Sequence, residues 1–562
     1  MRRLTPLSLT LALAAATAQP APPNQARGGP AGVDVEAYSF ALTLSDASDR
    51  VDGQATVTVR LKSDTVTVVP LNLVAAQPDG RGMTVASVTE AGAARAFTHS
   101  EDRLTIRVGP SRAGAVRTLV VTYAGTPADG LIIGANRHGA RTFFGDNWPN
   151  RARHWLPTVD HPSDKARVEW IVTAPDGYQV VANGRLVEES EVACSWQPAA
   201  GGAQSADSGC RLTRYVSEHP LPTKIMVFGA APFAVEHRGV VAGVPVASWA
   251  YAPDRDAGFA DLALGDRALR VFAERLGEFP YEKLAHVQST TRYGGMENAG
   301  AIFYDEGAIT GTGRMEGLIA HETAHQWFGN AVTETDWPHI WLSEGFATYL
   351  AHVYTEAVYG RDRMNAGLAR DRDRILAFAA ENPTLPVLDT LTTDPNDLLN
   401  ANSYQKGSWV LHMLRGRLGD ADFFEGLRTH YLRFRDGNAS TDDFRRTMED
   451  VSGQDLRAFF DQWLRRGGAP AVEASWRYVG DAVELTVRQT HAPGAESGAG
   501  GRPFTFPLDV ALVAADGSQS VSTVEVSDVL QSLRIPAAAR PAAVVLDPGV
   551  LLLASLSIVE DG

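Results

Sequence analysis

His321-Glu322-Thr323-Ala324-His325 sets two imidazoles four residues apart. On an α-helix that spacing turns a side chain by about 40°, so both rings project from one face. Two ring nitrogens so placed can reach one Zn²⁺ at ~2.0–2.1 Å. Glu322 points in a different direction from either histidine and is placed to hold a metal-activated water from the side. Leu318, Ile319, Ala320, Ala324, Trp327 and Phe328 around it predict a core helix. A third protein ligand is needed, and Glu344 is the candidate, eighteen intervening residues beyond His325 in Trp341-Leu342-Ser343-Glu344-Gly345-Phe346. That segment has helical spacing, and Pro338 with the polar run 333–336 allows the chain to reverse between the two helices. The bare five-residue motif is also compatible with a structural helix whose histidines are satisfied in the core. A glutamate at this distance on an apolar helix start favours a hydrolytic zinc centre of the His₂Glu kind, with one zinc per chain.

The elements that must position these groups lie in a chain of 562 residues with 44% hydrophobic and 21% charged residues, enough to build several cores. The formal charge of −15, with no long Lys/Arg run, argues against a nucleic-acid partner. Arg2-Arg3, the apolar stretch Leu4–Ala15 and Ala16-Thr17-Ala18 predict a signal peptide over 1–18. The apolar part is too short to span a bilayer, so the expectation is export to periplasm or medium without a stable membrane anchor. A Pro/Gly-rich linker (19–33) follows. Two cysteines, Cys194 and Cys210, flank a Gly/Ala/Ser-rich loop; in an oxidising compartment a disulfide there would staple that loop.

Short alternating runs such as Ala55–Leu61 and Leu119–Tyr123 predict an N-terminal antiparallel β domain over 34–235. Helical spacing from Asp261 to Leu276, and again from Gly313 to Arg466, predicts a mainly helical catalytic domain over 236–468. Ser440-Thr441-Asp442-Asp443 reads as a helix start there, and Gly467-Gly468 before Pro470 as a stop. Alternation returns after Val472 and predicts a C-terminal β-sandwich over 469–562. The fold class is α+β, multidomain.

Upstream of the histidines stands Gly294-Gly295-Met296-Glu297-Asn298, and downstream Tyr404-Gln405-Lys406-Gly407. With the zinc motif and the spaced Glu344, these resemble the M1 family of zinc aminopeptidases, the gluzincins related to aminopeptidase N and leukotriene A4 hydrolase. The match is strong over about 290–410, with a weaker echo at Arg153-His154-Trp155-Leu156-Pro157. The resemblance implies a thermolysin-like catalytic domain and peptide substrates with a free N-terminus. It carries over His321, His325 and Glu344 as zinc ligands, Glu322 as general base and Tyr404 as donor to the developing oxyanion. Gly294, Gly295, Met296, Glu297 and Asn298 become the substrate-binding segment, with Glu297 receiving the α-ammonium.

One position departs from the family. Members commonly carry Gln or Glu five residues before the arginine matched by Arg153, as a second ammonium anchor. Here Trp148 stands there, with Asp146 two residues away. The long helical superhelix that closes the cleft in many members is not expected, which predicts a more open site. Two alternatives stay open at this point: a zinc endopeptidase, for which Glu297 has no use, and a catalytically silent peptide-binding homologue. The oligomeric state is not legible.

Overall fold

The computed structural model describes residues 32–194, 209–490 and 502–561. The predicted signal peptide therefore lies outside the described residues. Among those residues no helix is long and apolar enough to cross a membrane.

From Val33 to Tyr251 the described residues are mostly strand and connecting loop. Val33–Thr43 and Val51–Leu61 bury alternate residues, as period-two patterning requires, and pair antiparallel at the heart of a nine-stranded sheet among the described residues. The expectation of an antiparallel domain needs one amendment. Ala37–Thr43 run parallel to Arg167–Thr173, because the partner arrives after a long excursion through other strands and not through a hairpin. A stack of Trp155 on Trp170, with Phe228 edge-on to both, fills the space behind this sheet. Cys194 and Cys210 are bridged, with Cα atoms 5.1 Å apart.

Phe233–Val241 and Val244–Tyr251 form a hairpin that opens a five-stranded sheet, continued by Leu284–Ser289, Ala301–Asp305 and the edge strand Gly295–Met296. The helices pack beside it. The predicted Asp261–Leu276 helix is two pieces, α1 (Arg255–Leu262) and α2 (Gly265–Leu276), because residues 263–264 turn the axis between them. Next come α3 (Glu316–Ala324), α4 (Trp341–Tyr359), α5 (Arg361–Glu381) and α6 (Gly407–Leu418). The predicted start at Ser440 is a capping box: its side chain takes the Asp443 N–H, while the Asp443 carboxylate takes the Ser440 N–H. After Gly467-Gly468 the chain forms two further sheets, one around Ala471–Val479 and Ala482–Thr490, the other around Phe506–Val513.

Two lysines, Lys165 part-buried and Lys224 buried, tie the N-terminal sheets to the helical region. Lys165 Nζ donates to the carbonyls of Asn330, Ala331 and Gly437 at 2.9–3.0 Å. Lys224 Nζ meets Glu334 at 2.6 Å with both side chains out of water. A charge buried this deeply is tolerated because each is paired or bonded, and removing one partner strands the other.

Candidate active site

α3 and α4 are brought together by the reversal at 333–340, where Trp337–His339 make a short turn. α3 is shorter than the apolar run predicted: it ends at Ala324, and His325 occupies its C-cap with helical dihedrals. The four-residue spacing survives, since the His325 N–H still reaches the His321 carbonyl. The two Nε2 atoms lie 3.0 Å apart, and each is 3.4–3.5 Å from Glu344 Oε2. A tetrahedral site with ~2.0–2.1 Å bonds asks for ligand separations of roughly 3.3–3.4 Å, which these edges bracket. The His325 Nδ1 faces the Phe328 carbonyl at 3.3 Å, which can only accept, so a proton on Nδ1 is satisfied there and Nε2 is the nitrogen that faces the cluster. Ser343 Oγ adds a contact to the same Nδ1 at 3.1 Å. The donor set and its separations fit zinc.

Glu322, His325 and Glu297 offer a second group of atoms within 4.8 Å of one another, so the three side chains converge on one small space. Burial raises the Glu322 carboxyl well above the ordinary carboxylate range; His325 opposes this, and Glu297 and Glu344 add to it. Glu344, although buried, is held well below that range by His325 and His321. Tyr404 is part-buried, and its ring stacks on His321 with centroids 6.1 Å apart. Desolvation and then the three carboxylates raise its phenol well above the ordinary value, so it stays protonated and able to donate.

The substrate-side segment runs along the sheet edge. Gly295 and Met296 pair antiparallel with Tyr304 and Phe303, and Gly294 takes the Asp305 N–H. A Cβ on Gly295 would stand 2.4 Å from Glu322 Oε1, so any side chain there must displace Glu322. Glu297 is 5% exposed and its Oε1 has no hydrogen-bond partner. Its backbone carbonyl accepts from Gln326 Nε2 at 2.8 Å and Asn330 Nδ2 at 2.6 Å. Asn298 and Met296 are buried beneath the strand.

Sequence reasoning missed Gln326, Asn330 and Ser343. Gln326 and Asn330 lie one and five residues past His325 and were readable only as polar residues in an apolar stretch. Trp148 is buried edge-on to both Tyr293 and Trp337, at 6.0 and 5.9 Å between centroids. Asp146 is buried. Its carboxylate lies 2.9 Å from Arg151 and accepts the Arg292 N–H. Arg153 braces the first region by gripping Asp160 and Asp102.

Residues 261–463 match the family described as "Peptidase family M1 domain". The chain carries a peptidase family M1 domain. That M1 stretch encloses both histidines, Glu344, Glu322, Glu297 and Tyr404. Among individual proteins, the chain is 25% identical over 470 residues to "Leucyl aminopeptidase" of Saccharolobus solfataricus, covering 79% of this chain and 55% of that one. It is 26% identical to "Aminopeptidase M1" of Arabidopsis thaliana, over 58% of this chain and 37% of that one. "Glutamyl aminopeptidase" of Mus musculus is 25% identical, over 59% and 35%. The chain thus spans about half or less of the length of these curated relatives.

Proposed function

We propose that this chain is an exported, zinc-dependent aminopeptidase that removes N-terminal residues from peptides. The observation that carries the reading is the Glu297 carboxylate, buried beside the His₂Glu cluster with one oxygen unpartnered. An anionic oxygen in that position calls for a cationic partner, and the α-ammonium of a peptide supplies one within reach of the reacting carbonyl.

His321, His325 and Glu344 would hold one zinc per chain, in a thermolysin-like setting. Zinc bound there supplies Lewis-acid polarisation of a carbonyl and makes water acidic enough to ionise near neutral pH. Glu322 then takes the proton of the attacking water on its carboxylate and delivers it to the leaving amine nitrogen. Tyr404 donates its phenolic hydrogen bond to the oxygen on which charge develops. Glu297 fixes the amino end, so the first peptide bond, and no later one, meets the base. The edge strand Gly295–Met296 offers backbone for an extended peptide to pair with.

The endopeptidase and silent-homologue readings are weaker on the same residues. An endopeptidase gains nothing from a buried anchor carboxylate, and a silent homologue need not retain ligands, base and donor together. The names of the relatives differ in the residue they act on, so the first-residue preference is left to measurement. Export rests on the residues over 1–18 and is supported by the Cys194–Cys210 bridge, which suits an oxidising compartment. The test is hydrolysis of an aminoacyl reporter panel before chelation, after it and after zinc is returned. Loss and recovery of turnover are expected; turnover indifferent to chelation would overturn the proposal.

A further inference from the structure

Tyr404 sits on an unusual piece of backbone. Asn402–Lys406 forms one π-helical turn that runs straight into α6. Such turns are rare, and a wider turn needs outside support to persist. Here the support is visible at both ends. Asn402 Nδ2 donates to the carbonyls of Leu385 and Pro386 at 2.9 and 3.3 Å. Lys406 is 1% exposed, and its ammonium donates to the carbonyls of Gly468 at 2.8 Å and Arg466 at 3.3 Å. Those carbonyls belong to the strap that leads from the last helix into the C-terminal sheets. The strap is itself held tightly: a Cβ on Gly467 would stand 2.4 Å from the backbone of Thr384.

The far side of the turn is fixed by backbone contact. A Cβ added to Gly345 would meet the backbone of Gly407 at 3.0 Å, and one added to Gly407 would meet Gly345 Cα at 3.2 Å. Gly345 follows the ligand Glu344. The turn therefore lies between the metal-binding helix on one side and the 466–468 strap on the other, with Tyr404 at its centre.

We propose that Lys406 is a positioning residue, which ties the Tyr404 turn to the 466–468 strap and so holds the phenol where the oxyanion develops. The inference rests on the role given to Tyr404 above. It makes the entry to the C-terminal sheets part of the apparatus that sets turnover, although none of those residues approaches substrate. A buried lysine amine with two carbonyl acceptors is a stiff tie, because breaking it leaves donor and acceptors unsatisfied.

The experiment is a double-mutant cycle in the full, zinc-loaded chain. Lys406→Met and Tyr404→Phe are made singly and together, with kcat, KM and zinc content measured for each. Lys406→Met should lower kcat at least tenfold while KM changes less than threefold and zinc stays at wild-type level. In the Tyr404→Phe background the same change should cost less than twofold, since a phenol already removed cannot be misplaced. Lys406→Gln, which keeps a donor, should fall between wild type and Lys406→Met, and it carries the cycle if Lys406→Met does not fold. Equal losses in both backgrounds, or no loss of kcat, overturn the tie. A Tyr404→Phe variant with unchanged kcat would instead overturn the role of Tyr404 itself.

Discussion

Gln326 donates from its side-chain amide to the backbone carbonyl of Glu297, 2.8 Å away, while its own amide oxygen takes the Gly300 N–H at 2.9 Å. One residue past His325, a side chain thus locks the Glu297 strand in register with the end of α3. The distance from Glu297 to the His321, His325 and Glu344 cluster is set by this clamp and by Asn330, and not by Glu297 alone.

Gln326→Ala should therefore loosen recognition of the amino end and leave the ligand triangle standing. We expect about a tenfold fall in kcat/KM for free-amine peptides, corresponding to about 1.4 kcal/mol, with zinc content unchanged. Stability should drop by roughly 1–3 kcal/mol, because the buried Gly300 N–H loses its partner and the Glu297 carbonyl keeps only Asn330. Steady-state kinetics with metal analysis and denaturant unfolding check both parts. Wild-type kinetics in a correctly folded variant would reassign the clamp to folding alone.

Glu322→Gln should keep zinc and lose ~10³-fold or more in kcat, because proton removal and proton delivery both run through that carboxylate. Gly295→Ala tests the same group by displacement. Its methyl must push Glu322 Oε1 away from its place, so kcat should fall at least tenfold with ligand atoms untouched. Turnover within twofold of wild type in either variant contradicts the assignment of the base.

A pH effect on stability follows from the seam between His219, in the N-terminal sheets, and Asp436, beside the helices. The Asp436 hydrogen bond raises His219 above its ordinary value; burial and Arg435 oppose, and Glu282 adds. Asp436 is pushed up by its burial but ends below the carboxylate range through His219, Lys165 and Arg435. A histidine whose folded value is raised binds more protons folded than unfolded. Its contribution is full below the unfolded value of ~6.5 and is lost as pH rises through the folded value. The Asp436 contribution is present above ~3.9 and lost as pH falls through its own lower folded value. The unfolding free-energy gap between wild type and His219→Gln should be widest near pH 5–6 and shrink toward about pH 9. A gap that does not change between those pH values removes the seam from the stability of the protein.

The chemistry was more legible in the sequence than the scaffold. The gathering of His321, His325 and Glu344 was readable because four-residue spacing puts both histidines on one helix face and the reversal before Trp341 can bring Glu344 back to them. The strand-rich first region and the returning strands after Val472 were readable from period-two alternation, and the Ser440 helix start from its capping residues. What stayed hidden depends on contacts between distant segments. The parallel pairing of Ala37–Thr43 with Arg167–Thr173 leaves no local trace, since either pairing uses the same alternation. Gln326 and Asn330 became clamps only when α3 met the Glu297 strand. The π-turn at Tyr404 likewise needed Lys406 to find carbonyls about sixty positions away.

The most direct test of the central claim compares kcat/KM for one peptide with a free amino end and with that end acetylated, in wild type and in Glu297→Ala, with zinc quantified in the same samples. The account predicts about a 10³-fold preference for the free amine in wild type, worth roughly 4 kcal/mol. It predicts that preference shrinking at least thirtyfold in Glu297→Ala while one zinc per chain remains. Equal cleavage of the two peptides by the wild-type protein would contradict it.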